Sequence, residues 1–211
     1  MNRIKCVLIA ALPVLLAVTG CVTAGQDSAY PLPAGTVAFG VHGSLPLDRL
    51  ADDSSLPNQR VIPALSTRVG LPHRLEFSTE IGYAGIGMHL KGGLLPLDSP
   101  VQITPIAGGY LLPEPSLNAG LLAGTRIIPG TELYGGLRVM ERPLLWGDPV
   151  LQSSAGVHLL HDRMFSLQLA YTHLHLLGDP WLLIKKDAAL ISVGVLFHPN
   201  RVDWWRSVRF P

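Results

Sequence analysis

The stretch that decides the fold is Arg74-Leu75-Glu76-Phe77-Ser78-Thr79-Glu80-Ile81-Gly82-Tyr83. Odd positions carry Leu, Phe, Thr, Ile and Tyr, and even positions carry Arg, Glu, Ser, Glu and Gly. A period of two puts the two sets on opposite faces of a β-strand, whereas a helix would scatter them around its axis.

The pattern recurs on both sides of this segment. In 61–71, Leu65, Thr67, Val69 and Leu71 alternate with Ala64, Ser66, Arg68 and Gly70. In 86–94, Ile86, Met88, Leu90 and Leu94 alternate with Gly87, His89, Lys91 and Gly93. In 131–140, Leu133, Leu137 and Val139 oppose Glu132, Tyr134, Gly136 and Arg138. In 164–172, Phe165, Leu167, Leu169 and Tyr171 oppose Ser166, Gln168 and Thr172. Weaker copies lie at 36–43, 101–111, 117–128, 151–160 and 188–197. The sum is about ten strands of ~10 residues, the length that crosses a bilayer at a tilt.

Connection lengths alternate as well. Short links at 72–73, 96–100, 129–130 and 161–163 carry Pro, Gly or Asp, which suit tight turns. Longer links fall at 44–60, 143–149 and 177–187, with a medium one at 112–116. The link at Ala84-Gly85 is short where the alternation calls for a long one. Composition points the same way. Only 15 % of residues are charged, against ~25 % in soluble domains. After residue 20 no apolar run reaches the ~18 residues of a spanning helix. The expected fold is all-β: a single antiparallel up-and-down transmembrane β-barrel over 36–197.

The first residues form a separate unit. Arg3 and Lys5 precede an uncharged run, 6–18, which suits a signal h-region and is too short to span. Then comes Val18-Thr19-Gly20-Cys21: an aliphatic residue, two small residues and a cysteine. This resembles the lipobox of bacterial lipoproteins. The resemblance implies that 1–20 is a removed signal peptide and that Cys21 carries a diacylglycerol and an N-acyl chain. Two or more acyl chains anchor stably where one does so marginally. Val22 in place of Asp implies sorting to the outer membrane. Residues 21–35 read as a lipidated tether of mixed polarity. Loss of the signal removes Cys6, so no thiol pair remains for a disulfide or a multi-Cys metal site. It also leaves 14 basic residues (16 less Arg3 and Lys5) against 15 acidic ones. That balance lacks the basic face of a nucleic-acid binder.

The barrel segment resembles small bacterial outer-membrane β-barrel proteins over roughly 36–197, on its alternation and loop pattern. In the last strand Ser192, Gly194 and Phe197 are similar to the polar-x-Gly-x-x-aromatic part of the insertion signal of such proteins, which implies handling by the barrel-assembly machinery. Here a tail follows, 198–211, with Trp204, Trp205 and Phe210 beside Arg201, Arg206 and Arg209. Such a mixture suits a membrane interface or packing on the periplasmic rim. Short periplasmic turns and an even strand count put both chain ends in the periplasm, with the Cys21 lipid in the inner leaflet. Partners expected from these resemblances are outer-membrane lipid, the assembly machinery and the lipoprotein-sorting machinery.

With the apolar set facing lipid, the lumen set holds Arg68, Glu76, Glu80, His89, Lys91, Arg126, Glu132, Arg138, His158 and Gln168. Both signs of charge are present, so the expectation is a narrow interior filled by paired side chains. Tyr171-Thr172-His173-Leu174-His175, followed by Asp179, is the most suggestive cluster for chemistry. Histidines at i and i+2 share one face, and imidazole binds transition metals. The alternation, however, puts both on the outward face. Barrel enzymes include surface proteases with Asp and His at the outer rim and lipid A-modifying enzymes with His, Ser and sometimes Glu. Asp48, Asp52 and Asp53 could meet His173 and Asp179 only if the loops converge. The leading expectation is a structural or interaction role, with no cofactor. The alternatives are a small pore or solute channel, a lipid-modifying or proteolytic enzyme, and a lipid-tethered soluble β-barrel.

Overall fold

A strand that is apolar on one side and polar on the other needs two different surroundings. Closing the sheet on itself supplies both and leaves no unpaired edge. The computed structural model describes residues 27–46, 61–82, 85–112, 115–128, 130–142, 147–159, 164–176 and 188–199. Among them ten strands run in order: β1 (Val37–Pro46), β2 (Ile62–Leu71), β3 (Leu75–Gly82), β4 (Gly85–Gly92), β5 (Val101–Leu112), β6 (Ser116–Ile128), β7 (Thr131–Arg142), β8 (Gly147–Leu159), β9 (Phe165–Leu176) and β10 (Ala188–Phe197). Each pairs antiparallel with its sequence neighbours, and β10 pairs with β1 to close the barrel. This is the ten-stranded up-and-down barrel that the alternation predicts. No helix of the described residues is long and apolar enough to cross a membrane.

The outer wall carries Val41, Leu65, Ile81, Leu90, Leu121, Leu137, Leu169 and Val195, all substantially exposed. Arg68, Glu76, Lys91, Glu132, Arg138 and His158 are buried inside. Several large inward side chains lie directly across the ladder from a glycine. Tyr110 faces Gly87, Leu122 faces Gly136, Tyr134 faces Gly156, and Arg138 faces Gly120. A Cβ on any of these glycines would run into the opposing side chain. The glycines thus make room for a filled interior rather than a phosphate loop.

One end of the barrel, here the turn end, has the connections 72–74, 93–100, 129–130 and 160–164, and receives both β1 and the end of β10. The other, the loop end, has 47–60, 83–84, 113–115, 143–146 and 177–187. Near the loop end the interior turns apolar, where Met140, Val150, Leu174 and Leu190 form a buried cluster.

The sequence reading makes 21–35 a tether, and its described part differs. Residues 28–32 lie inside the barrel, with Ala29 0 % and Tyr30 2 % exposed. A turn at residues 34–35 leads from this segment into β1. Gly35 adopts φ 78 there, a left-handed conformation that other residues enter at a cost. Gly35 N–H bonds to Gly70 O, and Thr36 N–H bonds to Pro33 O. Gly70 itself leaves no space, since a Cβ there would collide with the Pro33 carbonyl. Gly70→Ala is therefore expected to lower stability by ~1–3 kcal/mol, an overpacking cost. The unfolding midpoint in detergent, read from heat-modifiable gel migration, checks this; an unchanged midpoint refutes it.

Candidate functional site in the lumen

Carrying a main chain through a barrel poses a difficulty, because its N–H and C=O groups have no ladder to join. Ser28-Ala29-Tyr30-Pro31-Leu32-Pro33 reduces the demand at once, since its two prolines have no N–H. Strand side chains supply most of the remaining bonds. Ala29 N–H donates to Glu132 Oε1 at 2.7 Å, and Leu32 N–H donates to Glu76 Oε2 at 2.8 Å. Tyr30 N–H donates to the Ser28 hydroxyl, which itself donates to Glu132 Oε2 at 2.6 Å. Lys91 Nζ donates to Ser28 O at 2.9 Å, and the Thr104 hydroxyl donates to Ala29 O.

Side chains of the segment are held as firmly. The Tyr30 ring lies under the Arg126 guanidinium, 3.7 Å from its carbon to the ring centroid, and the Tyr30 hydroxyl donates to Ser99 O at 3.0 Å. Arg126 also donates to Leu97 O at 2.8 Å. Farther in, Asp27 forms an ion pair with Arg138. Ala29 joins Ile106, Leu122, Tyr134 and Ala170 in a small apolar cluster.

Cross-strand register places the lumen residues that the sequence singles out. Glu76 is opposite Lys91, and their charged groups are 3.0 Å apart. Glu132 is opposite Arg126 on one side and His158 on the other. His89 lies 3.1 Å from Asn118 and packs edge-on against Tyr110. Glu80, less buried than the rest, is 3.9 Å from His42. Arg68 reaches Gln168 at 3.4 Å. With Asp27 added by the N-terminal segment, four described inward carboxylates (Glu76, Glu80, Glu132 and Asp27) meet four cations (Arg68, Lys91, Arg126 and Arg138). A cavity of about 10 Å³ remains beside Asp27, bounded by His42, Ser66, Arg68, Glu80 and His89. That is room for about one water.

The suggestive histidines do not join this network. His173 is half-buried and His175 exposed, while Thr172 and Leu174 between and beside them point inward. Asp179, Asp48, Asp52, Asp53, Cys21 and the signal lie outside the described residues, as does the tail beyond residue 199. Among the described residues no group of three His, Cys, Asp or Glu is arranged to hold a metal ion.

The sequence reading did not single out a second histidine arrangement. His158 Nε2 is 2.8 Å from Ser166 Oγ, and His158 Nδ1 is 3.7 Å from Glu132 Oε2. The order is that of nucleophile, base and acid. The three groups are closed off from solvent: Ser166 is 2 % exposed, and Glu132 also accepts from Ser28 and Ala29. What the contacts do is tie β7, β8 and β9 together at the turn end. Ser166 also meets His198 at 3.3 Å.

No family model and no curated protein sequence matches the chain. Solved structures that it resembles in shape include the NanC porin, with TM-score 0.47 and 9 % identity, over 75 % of this chain and 98 % of that one. Others are the N-terminal β-barrel domain of Pseudomonas aeruginosa OprF (TM-score 0.36, 12 % identity, 79 % and 99 % covered) and Neisserial surface protein A (TM-score 0.37, 13 % identity, 77 % and 95 % covered).

Two outcomes follow from the buried contacts. Glu132→Ala strands the Ala29 N–H and Ser28 hydroxyl together, and is expected to cost ~3 kcal/mol or more. Glu132→Gln keeps one acceptor for Ala29 and is expected to cost about half as much. Equal midpoints for both variants in detergent unfolding would argue against the carboxylate as the anchor. At the rim, burial lowers His198 from 6.5 to about 4, helped by the nearby His158 and Arg68 charges. Its folded pKa lies below its unfolded one, so the unfolded chain binds the extra proton between these values. The His198 contribution is fully present above pH 6.5 and is lost as pH falls toward 4. A His198→Gln variant should show a shallower loss of stability over that window than the parent; parallel curves would refute it.

Proposed function

We propose that this chain is an outer-membrane β-barrel lipoprotein with a structural or interaction role, its lumen stopped by its own N-terminal segment. The observation that carries this reading is the division between the two faces of the wall. Outside is a continuous apolar band, and inside is a polar, charge-balanced network closed around residues 27–33. A soluble barrel would need the opposite arrangement, because water would meet Leu137, Leu121 and Ile81 while the charges lay in the core.

The lipobox supports lipid attachment at Cys21 after removal of residues 1–20. The last strand supports handling by the barrel-assembly machinery, with the turn end and the C-terminal tail on the periplasmic side. The filled lumen counts against a standing pore, and the burial of Ser166 counts against an enzyme. Interaction through the loop end, where the longest connections lie, fits a closed barrel better than transport does.

Leu137 lies mid-strand on β7, 56 % exposed. Leu137→Arg is expected to destabilise a bilayer-embedded barrel by ~2–4 kcal/mol, while a water-facing Leu would tolerate the change within ~0.5 kcal/mol. A Cys21→Ala protein should still resist carbonate extraction and migrate heat-modifiably. Release of that variant as a freely soluble protein would overturn the transmembrane reading.

A further inference from the structure

We infer that His198, Ser166, His158 and Glu132 form a proton relay through which acidity at the turn end loosens the N-terminal segment. The relay stands on contacts inside the barrel and does not rest on the membrane-spanning reading.

The four groups lie in line. His198 Nε2 is 3.3 Å from Ser166 Oγ, Ser166 Oγ is 2.8 Å from His158 Nε2, and His158 Nδ1 is 3.7 Å from Glu132 Oε2. Glu132, His158 and Ser166 are buried, whereas His198 is half-buried just past the end of β10. The His198 backbone N–H bonds to Met164 O, which holds the residue at the rim.

Glu132 sets the sense of the chain. An ionised carboxylate only accepts, and the two oxygens of Glu132 accept from Ser28 and Ala29. A bare His158 Nδ1 would set a lone pair against that anion, so Nδ1 carries the ring proton. Nε2 is then bare and takes the Ser166 hydroxyl proton. With its one hydrogen used, Ser166 accepts from His198 Nε2–H, and His198 Nδ1 is left bare at the rim.

A proton from hydronium on the turn side binds His198 Nδ1. The His198 Nε2 proton passes to Ser166 Oγ as the Ser166 proton passes to His158 Nε2. His198 and Ser166 end neutral, and His158 ends as an imidazolium with both N–H groups. Its Nδ1–H then competes for Glu132 Oε2 with the Ser28 hydroxyl, which lies 2.6 Å from that oxygen. The other charged groups acting on His158 are Arg68 of β2 and Lys91 of β4, and Arg126 of β6 is opposite Glu132. All three are cations. A buried imidazolium among them is tolerated only against a carboxylate, so Glu132 turns toward His158 and releases Ser28. Leu32 is held by Glu76 instead, and serves as an internal reference.

The test is NMR of the protein in detergent micelles, with isotope-labelled imidazoles, from about pH 7 to about pH 4. At neutral pH His158 is expected as the Nδ1–H tautomer. On acidification its two ring nitrogens should move together to the imidazolium position. With the same midpoint, and corrected for the intrinsic pH effect, the Ala29 amide should exchange ~10-fold faster relative to Leu32. Ser166→Ala removes the acceptor that a charged His158 Nε2–H needs, and should abolish both changes. His198→Gln keeps a hydrogen-bonding group that carries no extra proton, and should slow proton exchange at His158 by ~10-fold or more. A neutral His158 with its proton on Nε2, or Ala29 and Leu32 exchanging in parallel throughout, would overturn the relay. So would a Ser166→Ala chain that responds like the parent, or parent-like proton exchange in His198→Gln. The tautomer and the two amides are read on the parent chain, so they decide the matter even where a variant does not fold.

Discussion

The interior depends on Glu132. Its carboxylate is fully enclosed, and a buried carboxylate persists only when hydrogen bonds and opposite charge replace the lost water. Arg126 and His158 flank it through strand register, while Ser28 and Ala29 of the N-terminal segment fill its two oxygens. Barrel and segment are thus each incomplete alone. Without the segment, Glu132 and Glu76 lose hydrogen-bond donors and Arg138 loses Asp27. Without the barrel, a six-residue stretch with two prolines has no ladder to satisfy its main chain.

This dependence divides the lumen into two zones held by different forces. Toward the turn end, directional hydrogen bonds and ion pairs dominate, to the segment, between neighbouring strands and across the lumen from Arg68 to Gln168. Toward the loop end, Met140, Val150, Leu174 and Leu190 exclude water without directional bonds, and a Ser44–Ser192 hydroxyl contact of 2.7 Å closes the β1–β10 seam. The apolar zone costs nothing in unsatisfied groups, and the polar zone fixes the position of the segment.

The wall was legible in the sequence because its signal is local. Alternation at 74–83 depends only on adjacent residues, and parity alone put Glu76 inside and Phe77 outside, as it put His173 and His175 away from the lumen. The filling was not legible. Leu122, Tyr134 and Met140 break the polar rule of the inner face, and their acceptance depends on a glycine or an apolar neighbour on another strand. Ser28-Ala29-Tyr30-Pro31-Leu32-Pro33 has no period at all. Its one local hint is a paucity of N–H donors, which also suits an exposed linker; what distinguishes the two is the position of Glu76 and Glu132 far along the chain.

The same logic explains why an apparent catalytic order can arise with no catalytic setting. Register sets His158 between Glu132 and Gln168, and a serine two residues from Gln168 shares its face. In a narrow barrel every inward polar residue must find a partner, so Ser, His and Glu meet by the requirement of satisfaction alone. What separates a nucleophile from a structural hydroxyl is access. Ser166 is 2 % exposed, and the rim packs His198 against the hydroxyl. The contacts that fill the lumen are therefore also the ones that enclose this trio.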